Sequence, residues 1–157
     1  MKIAILTESS KEGKNQILAQ FCSIYCDSVL TKAKIDIYNF SAFENVWINH
    51  YDSFIMIVPE WNGSFPFTVK KLIDDSGYPS LFQDKDILLI GTSASSMSNI
   101  IGIEQLNYIL QFVGANVYKK KVYIPNISKD MDVDLEVRLC KTIKNFFKKN
   151  FKEGSGP

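Results

Sequence analysis

The chain has 157 residues, 46% of them hydrophobic, which is enough for one domain with a substantial core. Its 18 Lys and Arg residues nearly balance 17 Asp and Glu residues, and a net charge of +1 gives no large field for binding nucleic acid or an anionic membrane. The longest apolar run, residues 54–58, is too short to span a bilayer, and three cysteines with one histidine predict neither a disulfide framework nor a metal site. We expect one domain, residues 1–152, in a reducing cytoplasm, followed by a flexible or vector-derived tail, residues 153–157.

The first half of the chain alternates strand and helix patterns. Residues 3–6 and 54–58 are continuously apolar, which is typical of parallel strands buried on both faces. Residues 35–38 alternate between apolar and polar side chains and therefore suit the edge of a sheet. Apolar residues recur with helical spacing over residues 15–30, and a shorter helix is predicted over residues 65–74.

The second half continues the alternation. Residues 87–90 form another buried strand, and residues 100–113 a helix that ends before Gly114. A fifth strand is expected within residues 117–124, split or bent by three consecutive lysines. Residues 132–149 predict a last helix, with acidic residues in its first turns and basic residues in its last, an order that complements the helix dipole.

Strands that alternate with helices imply right-handed crossovers and a parallel sheet between two helical layers. We predict an α/β fold with five strands in the order 2-1-3-4-5. Ligands of such sheets bind outside the carboxyl ends of the strands, close to the point where the strand order reverses. The three loops that follow residues 3–6, 54–58 and 87–90 are therefore the candidate site.

The first loop, residues 7–16, leads into a helix. A helix N-terminus offers unpaired N–H groups and the positive end of a dipole, and hydroxyl groups and lysines accompany it here. A phosphate monoester requires this chemistry, although a polar turn that caps a helix would have the same composition. The loop lacks both the Gly-Lys-Ser/Thr ending of a Walker loop and a Gly-x-Gly-x-x-Gly turn. The candidate binding residues are Ser9, Lys11, Lys14, Asn15 and Gln16.

The second loop, residues 59–66, contains Asn62 and Gly63, which permit positive φ angles and a close approach of the backbone. Trp61 offers a flat face that can stack on a ring or pack on a neighbouring subunit. Ser64 is expected to cap the following helix, and a tight turn with an aromatic anchor would account for the same residues. The candidate binding residues are Pro59, Glu60, Trp61, Asn62, Gly63 and Ser64.

The third loop, residues 91–98, brings five hydroxyl groups directly after a buried strand. These groups suit the polar edge of a heterocycle, while a solvated loop with Ser98 as the cap of the next helix explains them equally well. The candidate binding residues are Thr92, Ser93, Ser95 and Ser96.

The second loop also carries a resemblance. Pro59-Glu-Trp-Asn-Gly-Ser64, then Phe65-Pro66 and Lys70-Lys-Leu-Ile-Asp74, resembles the hallmark of the NADPH-dependent FMN reductases, which is Pro-Glu-Tyr-Asn-Gly-Ser, a Pro-Gly pair and Leu-Lys-Asn-x-x-Asp. The resemblance extends more weakly over residues 2–149. It implies a flavodoxin-like fold and bound FMN, which NADPH or NADH reduces. It also implies a small electron acceptor (free flavin, a quinone, an azo compound or a metal oxyanion) and a homodimer or homotetramer.

By position, the phosphate loop of that family, Gly-Ser-x-Arg-x-x-Ser, falls on residues 8–14. Ser9 matches it, Lys11 keeps the charge of the usual Arg, and Lys14 replaces a Ser. Glu8 stands where Gly is usual, and the serines of the third loop stand where glycines are usual. The resemblance implies no catalytic side chain, because hydride transfer belongs to the flavin and the protein supplies orientation.

Three functions are compatible with these residues. The expected one is an FMN-dependent NAD(P)H oxidoreductase. The near-neutral charge and the second loop speak against the alternative of a flavin-binding electron carrier without enzymatic activity. Glu8 and the serines of the third loop favour the other alternative, a degenerate member without flavin that acts as a binding protein.

Overall fold

The computed structural model of the chain describes residues 1–127 and 130–152, so the predicted tail lies outside the described residues. Strands and helices alternate along the chain as the sequence patterns predict. In chain order they are β1 (Lys2–Thr7), α1 (Lys14–Val29), β2 (Lys34–Asn39), two short 3-10 segments (Phe40–Ala42 and Asn45–His50), β3 (Ser53–Pro59), α2 (Phe67–Asp74), β4 (Asp86–Thr92), α3 (Ile100–Phe112), β5 (Asn116–Val117), β6 (Val122–Ile124) and α4 (Val133–Lys152).

The strands form one parallel sheet in the order β2-β1-β3-β4-β5, and β6 also pairs with β4. The predicted order 2-1-3-4-5 is therefore confirmed, with β2 at the edge. The fifth strand is split. Asn116 and Val117 pair with the start of β4, and residues 122–124 pair with its end. The three lysines lie between these two pieces, where the chain leaves the sheet.

The core consists of two apolar layers, one on each face of the sheet. All seven residues of β3 are buried, which explains its continuously apolar sequence. Phe54, Met56 and Val58 face the layer under α2 and α3, while Ile55 and Ile57 face the layer under α1 and α4. Each large buried side chain contributes about 1.5–3 kcal/mol of transfer free energy, so packing on both faces of the sheet stabilises β3.

The helix ends follow partly from local residues. Gly114 has a φ of +87° and ends α3, and its N–H donates to the carbonyl of Gln111 at 3.0 Å, so the predicted C-terminal cap is confirmed. At the start of α4, the Asp132 side chain accepts the N–H of Leu135 at 2.7 Å. None of the helices in the described residues combines the length and the apolar character that crossing a membrane requires.

Two predicted helix caps are wrong, although α3 begins at Ile100 as expected. Ser64 does not cap α2, because its hydroxyl donates to Gln105 Oε1 at 2.7 Å, and α2 begins only at Phe67, after Pro66. Ser98 does not cap α3, which begins after Asn99 in the left-handed region, with a φ of +57°. At Ser64 a tertiary contact takes the side chain that would have served as a local cap, whereas at Ser98 the cap position passes to the next residue.

Candidate functional site

The carboxyl ends of β1, β3 and β4 lie side by side, and direct hydrogen bonds join the three loops that follow them. Thr92 Oγ1 donates to Asn15 Oδ1 at 2.8 Å, linking the third loop to the start of α1. The N–H of Glu60 donates to the carbonyl of Thr92 at 2.9 Å, linking the second loop to the third. The structure therefore brings the three predicted loops into one place, which we call the three-loop site (residues 7–16, 59–66 and 91–99).

The first loop leaves the N-terminus of α1 open. The N-cap residue of α1 is Gly13, which has no side chain to cap the helix. No acidic residue lies in the first turn of α1. A Cβ atom built on Gly13 would lie 2.0 Å from Ser9 Oγ, so the loop folds back with the Ser9 hydroxyl against the helix start. The free N–H groups, the dipole and the adjacent hydroxyl together make a site for an anion.

Two lysines supply positive charge to this loop. Lys11 is exposed, and Lys14 lies at the first position of α1. Lys14 Nζ lies 3.6 Å from Asp130 Oδ1, but the two side chains are 46% and 102% exposed. An exposed pair of this kind contributes only about 0–1 kcal/mol, so it does not hold Lys14 away from a bound anion.

Asn15 and Gln16, the other two predicted residues of this loop, have structural partners. Asn15 accepts the hydroxyl of Thr92, and the backbone N–H of Gln16 donates to the carbonyl of Gly13 at 2.9 Å. Both side chains are half-buried. Asn15 thus holds the third loop against α1.

Glu8, at the usual Gly position of the phosphate loop, has a carboxylate with three partners. It accepts the N–H of Ser41 at 3.1 Å, the Ser41 hydroxyl at 2.9 Å and the Thr68 hydroxyl at 2.9 Å. Ser41 follows β2 and Thr68 lies in the first turn of α2, which covers the opposite face of the sheet from α1. The carboxylate is therefore directed to the face opposite α1.

The second loop is a tight reversal of the chain. Trp61 and Ser64 exchange backbone hydrogen bonds of 2.8 and 3.1 Å, and Asn62 and Gly63 between them have φ angles of +52° and +81°. Positive φ at both central residues is the type I′ arrangement, as the Asn-Gly pair predicts. Trp61 remains 44% exposed, and its ring centroid lies 6.4 Å from that of Phe67. The loop presents a flat aromatic face beside an exposed backbone turn.

In the third loop the hydroxyl groups divide into two sets. Ser93 is buried; its hydroxyl donates to the carbonyl of Ser95 at 2.7 Å and accepts the N–H of Ser98 at 2.9 Å. Together with Thr92, it holds the loop in shape. Ser95 Oγ accepts the N–H of Met97 at 3.2 Å and lies 3.2 Å from Ser93 Oγ, so it also takes part in the bonding within the loop. Ser96 is exposed at the surface of the site. The prediction of a solvated loop therefore applies only to its tip.

Two residues of the site carried no distinctive sequence signal. Asn99 is buried, and its amide nitrogen donates to the carbonyls of Val58 and Pro59, both at 3.1 Å. A Cβ atom on Gly102 would lie 2.2 Å from Asn99 Oδ1 and 2.8 Å from the backbone nitrogen of Phe65, so α3 approaches the second loop closely there. An Asn before a helix resembles an ordinary cap in sequence, and a helical glycine next to a distant loop has no local signature.

Two cavities border the three-loop site. One of about 470 Å³ lies between the starts of α1 and α4 and includes Lys14 in its wall. The other, of about 710 Å³, lies between the 3-10 segments and α2, with Ser41, Phe67 and Thr68 in its wall. The site thus continues into space on both faces of the sheet.

The residues present fit FMN. The uncapped start of α1, with the hydroxyl of Ser9 folded against it and two lysines beside it, provides donors for a phosphate dianion. The exposed ring of Trp61 and the backbone turn after it suit a planar heterocycle. The carboxylate of Glu8, which would repel a phosphate, is directed elsewhere.

The strand order 2-1-3-4-5, the helical layer on each face of the sheet and the three loops at the carboxyl ends of the strands define a flavodoxin-like α/β protein. A family model, NADPH-dependent FMN reductase, matches residues 47–129, more than half of the chain. The chain belongs to this family. It is an FMN-dependent oxidoreductase with NADPH or NADH as the reductant, which confirms the enzyme class and the cofactors expected from the resemblance.

Solved structures share the fold at low sequence identity. FerB, a flavoenzyme NAD(P)H:(acceptor) oxidoreductase from Paracoccus denitrificans, has a TM-score of 0.77 and 18% identity over 92% of this chain and 94% of its own. The apo form of the NADH:FMN oxidoreductase EMOB has a TM-score of 0.75 and 14% identity, with 92% and 87% covered. A flavodoxin from Streptococcus pneumoniae TIGR4 has a TM-score of 0.74 and 12% identity, with 95% and 99% covered. No curated protein sequence matches the chain significantly.

Proposed function

We propose that the protein holds FMN in the three-loop site, accepts reducing equivalents there from NADPH or NADH, and passes them to a small acceptor. The single observation that carries this proposal is the uncapped start of α1, whose donors and lysines lie at the same sheet edge as the Trp61 turn. A phosphate group and a planar ring are the two ends of FMN, and the site offers a matching group for each.

The proposed roles follow from the contacts. Ser9, Lys11 and Lys14, with the first N–H groups of α1, bind the phosphate. Trp61 and the backbone of residues 62–64 contact the ring system, the exposed Ser96 provides a donor for its polar edge, and Ser95 helps to shape the loop. Pro59 and Glu60 shape the turn, while Thr92, Ser93 and Asn15 hold the loops together.

When bound, FMN supplies hydride acceptance from nicotinamide and electron delivery to the second substrate. The protein contributes orientation and an open face, and no side chain need act as an acid, a base or a nucleophile. The exposed ring of Trp61 lies at the entrance to the site and favours planar acceptors. Among the candidate acceptors, free flavins, quinones and azo compounds are planar, whereas a metal oxyanion is not.

A visible absorption spectrum of the purified protein, with and without added FMN and then with NADPH under anaerobic conditions, tests this function. We expect a bound flavin spectrum that bleaches within seconds of adding NADPH or NADH and recovers when a quinone or free flavin is added. A bound flavin that stays oxidised would identify the electron carrier instead. Failure to bind FMN would indicate the degenerate binding protein.

We also infer a homodimer that forms through the outer face of α3. Ile101, Tyr108 and Phe112 are exposed and lie on one stripe of this helix. The hydrogen bond between Ser64 and Gln105 joins this stripe to the second loop. An apolar stripe beside a ligand site is typical of a protein interface, and a second copy is the occupant that brings the two sites together.

A further inference from the structure

Glu8 is the least expected residue of the first loop, because a carboxylate in a phosphate loop introduces a negative charge where a dianion binds. In this chain the carboxylate is fully engaged by neutral donors. One oxygen accepts the N–H of Ser41 and the Thr68 hydroxyl, and the other accepts the Ser41 hydroxyl, at distances of 2.9–3.1 Å. The side chain is half-buried among these partners.

The partners of Glu8 belong to two different parts of the fold. Ser41 lies in the first 3-10 segment, directly after β2, and Thr68 lies in the first turn of α2, directly after the second loop. The next residue, Ser9, donates its N–H to Asn39 Oδ1 at 3.2 Å, so two consecutive residues of the first loop are fastened to the end of β2. Through Thr68, the same carboxylate also reaches the segment that carries the Trp61 turn.

We propose that Glu8 is a positioning residue that holds the phosphate-binding loop in its binding shape. A glycine at this position gives a loop freedom, whereas the carboxylate restrains it by hydrogen bonds to groups that are 33 and 60 residues away in sequence. The negative charge is compensated by its three donors and directed to the α2 face. The inference rests on the proposed phosphate site at the start of α1.

The opposite role for Glu8 makes the opposite predictions. A carboxylate that repelled phosphate would weaken the binding of FMN, and its removal would increase affinity. A carboxylate with only a general structural role would, on removal, weaken the binding of FMN and riboflavin equally. Riboflavin shares the ring and the ribityl chain of FMN but lacks the phosphate, so the ratio of the two affinities reports on the phosphate loop alone.

The experiment measures the Kd values of FMN and riboflavin by flavin fluorescence for the full chain and four variants. Glu8→Ala removes all three hydrogen bonds, and we expect the FMN affinity to fall about tenfold or more while the riboflavin affinity changes less than about twofold. Glu8→Gln should bind FMN at least as tightly as the unmodified chain. Its amide oxygen can accept from the Ser41 N–H and from Thr68, and its amide nitrogen can donate to the Ser41 hydroxyl.

Thr68→Val removes one partner at nearly constant shape, and we expect a smaller loss that is again specific to FMN. This variant and Glu8→Gln provide the test if Glu8→Ala does not fold. Glu44→Ala is the matched control, because it removes a carboxylate from the wall of the same cavity without touching these three bonds. We expect its affinities for both flavins to equal those of the unmodified chain.

Tighter or unchanged FMN binding by Glu8→Ala would overturn the positioning role, as would equal losses for FMN and riboflavin. An unmodified chain that binds FMN no better than riboflavin would instead overturn the phosphate site itself. The two failures are therefore distinguishable, because only the second is seen before any substitution is made.

Discussion

At the scale of single residues, Asn99 determines how the second and third loops meet. Its amide bridges two carbonyls at the end of β3, and its backbone adopts a φ of +57°, which Asn tolerates better than most residues. The side chain is buried, so bulk water does not compete with the bridge. Asn99 thus combines a backbone requirement with a side-chain requirement, and two substitutions can separate them.

We predict that Asn99→Gly, which keeps the backbone conformation but removes the bridge, lowers the free energy of unfolding by about 1–3 kcal/mol. Asn99→Ala should lower it by about 1 kcal/mol more, because a Cβ atom disfavours positive φ. Urea denaturation of both variants measures the two contributions. Equal stability of Asn99→Gly and the unmodified chain would show that the carbonyl bridge contributes nothing.

Cys26 lies with Cys22 on the face of α1 that packs toward α4, and both thiols are buried. Burial raises the pKa of Cys26 from 9.0 to about 12. The folded chain therefore holds the thiol proton more tightly than the unfolded chain, and the stability that this provides is complete below pH 9 and is lost as the pH rises to about 12.

We predict that the free energy of unfolding falls more steeply with pH above pH 9 in the unmodified chain than in Cys26→Ala. The difference in slope should approach about 1.4 kcal/mol per pH unit, the value for one proton. Urea denaturation at several pH values between 7 and 11 measures it, and below pH 8 the two curves should run parallel. Parallel curves over the whole range would show that the thiol of Cys26 does not titrate differently in the folded state.

At the scale of elements, the N-termini of α1 and α4 differ in whether side chains of the helix itself cap the free N–H groups and neutralise the dipole. Asp132 caps α4, and Asp134 and Glu136 lie in its first turn, so its own carboxylates neutralise its dipole. The start of α1 has Gly13 at the cap position and no acidic residue in its first turn. Only the second arrangement leaves donors and positive potential available for an external anion.

We predict that Lys11→Glu weakens FMN binding about a hundredfold, because reversing one charge beside a phosphate dianion costs about 2 kcal/mol or more. Riboflavin binding and the midpoint of urea unfolding should remain unchanged, since Lys11 is exposed. The same flavin fluorescence titration measures both affinities. Lys144→Glu is the matched control; this exposed residue lies about 16 Å along α4 from its start, and the substitution changes the net charge equally. Retained FMN affinity in Lys11→Glu would place the phosphate elsewhere.

At the scale of the whole molecule, the apolar stripe on α3 is the surface through which we infer that two copies associate. Tyr108 and Phe112 are 70% and 79% exposed, and exposed apolar residues that cluster in this way mark interaction surfaces. A nearby cavity has Phe65, Tyr108 and Ile109 in its wall, together with Glu104 and Gln105. The near-neutral net charge does not oppose the approach of a second copy.

We predict that the chain is a dimer at micromolar concentration and that Phe112→Lys makes it a monomer, because a lysine within the stripe would place an unpaired charge in the interface. Size-exclusion chromatography with light scattering measures the mass of each protein. Ile24→Lys is the control; Ile24 is an equally exposed apolar residue, 72%, but lies on α1 and away from the stripe. A monomeric unmodified chain, or a dimer that survives Phe112→Lys, would contradict this interface.

The sequence by itself determined most of the architecture. The continuously apolar runs of β1, β3 and β4 are consequences of burial on both faces, and the lysines predicted the break between β5 and β6. Asn62 and Gly63 predicted a turn with positive φ from their own conformational preferences. These features depend on residues close together in the chain, and for that reason they could be read without the fold.

Only the tertiary structure decided which polar groups remain free in the site. Ser64 was expected to cap α2 but bonds to Gln105, 41 residues away, and Thr92 was expected to face a ligand but bonds to Asn15, 77 residues away. The carboxylate of Glu8 likewise bonds to groups that are distant in sequence, 33 and 60 residues away. A hydroxyl or a carboxylate can satisfy its hydrogen bonds with many partners, and proximity in the folded chain selects among them, so no local pattern could identify the choice.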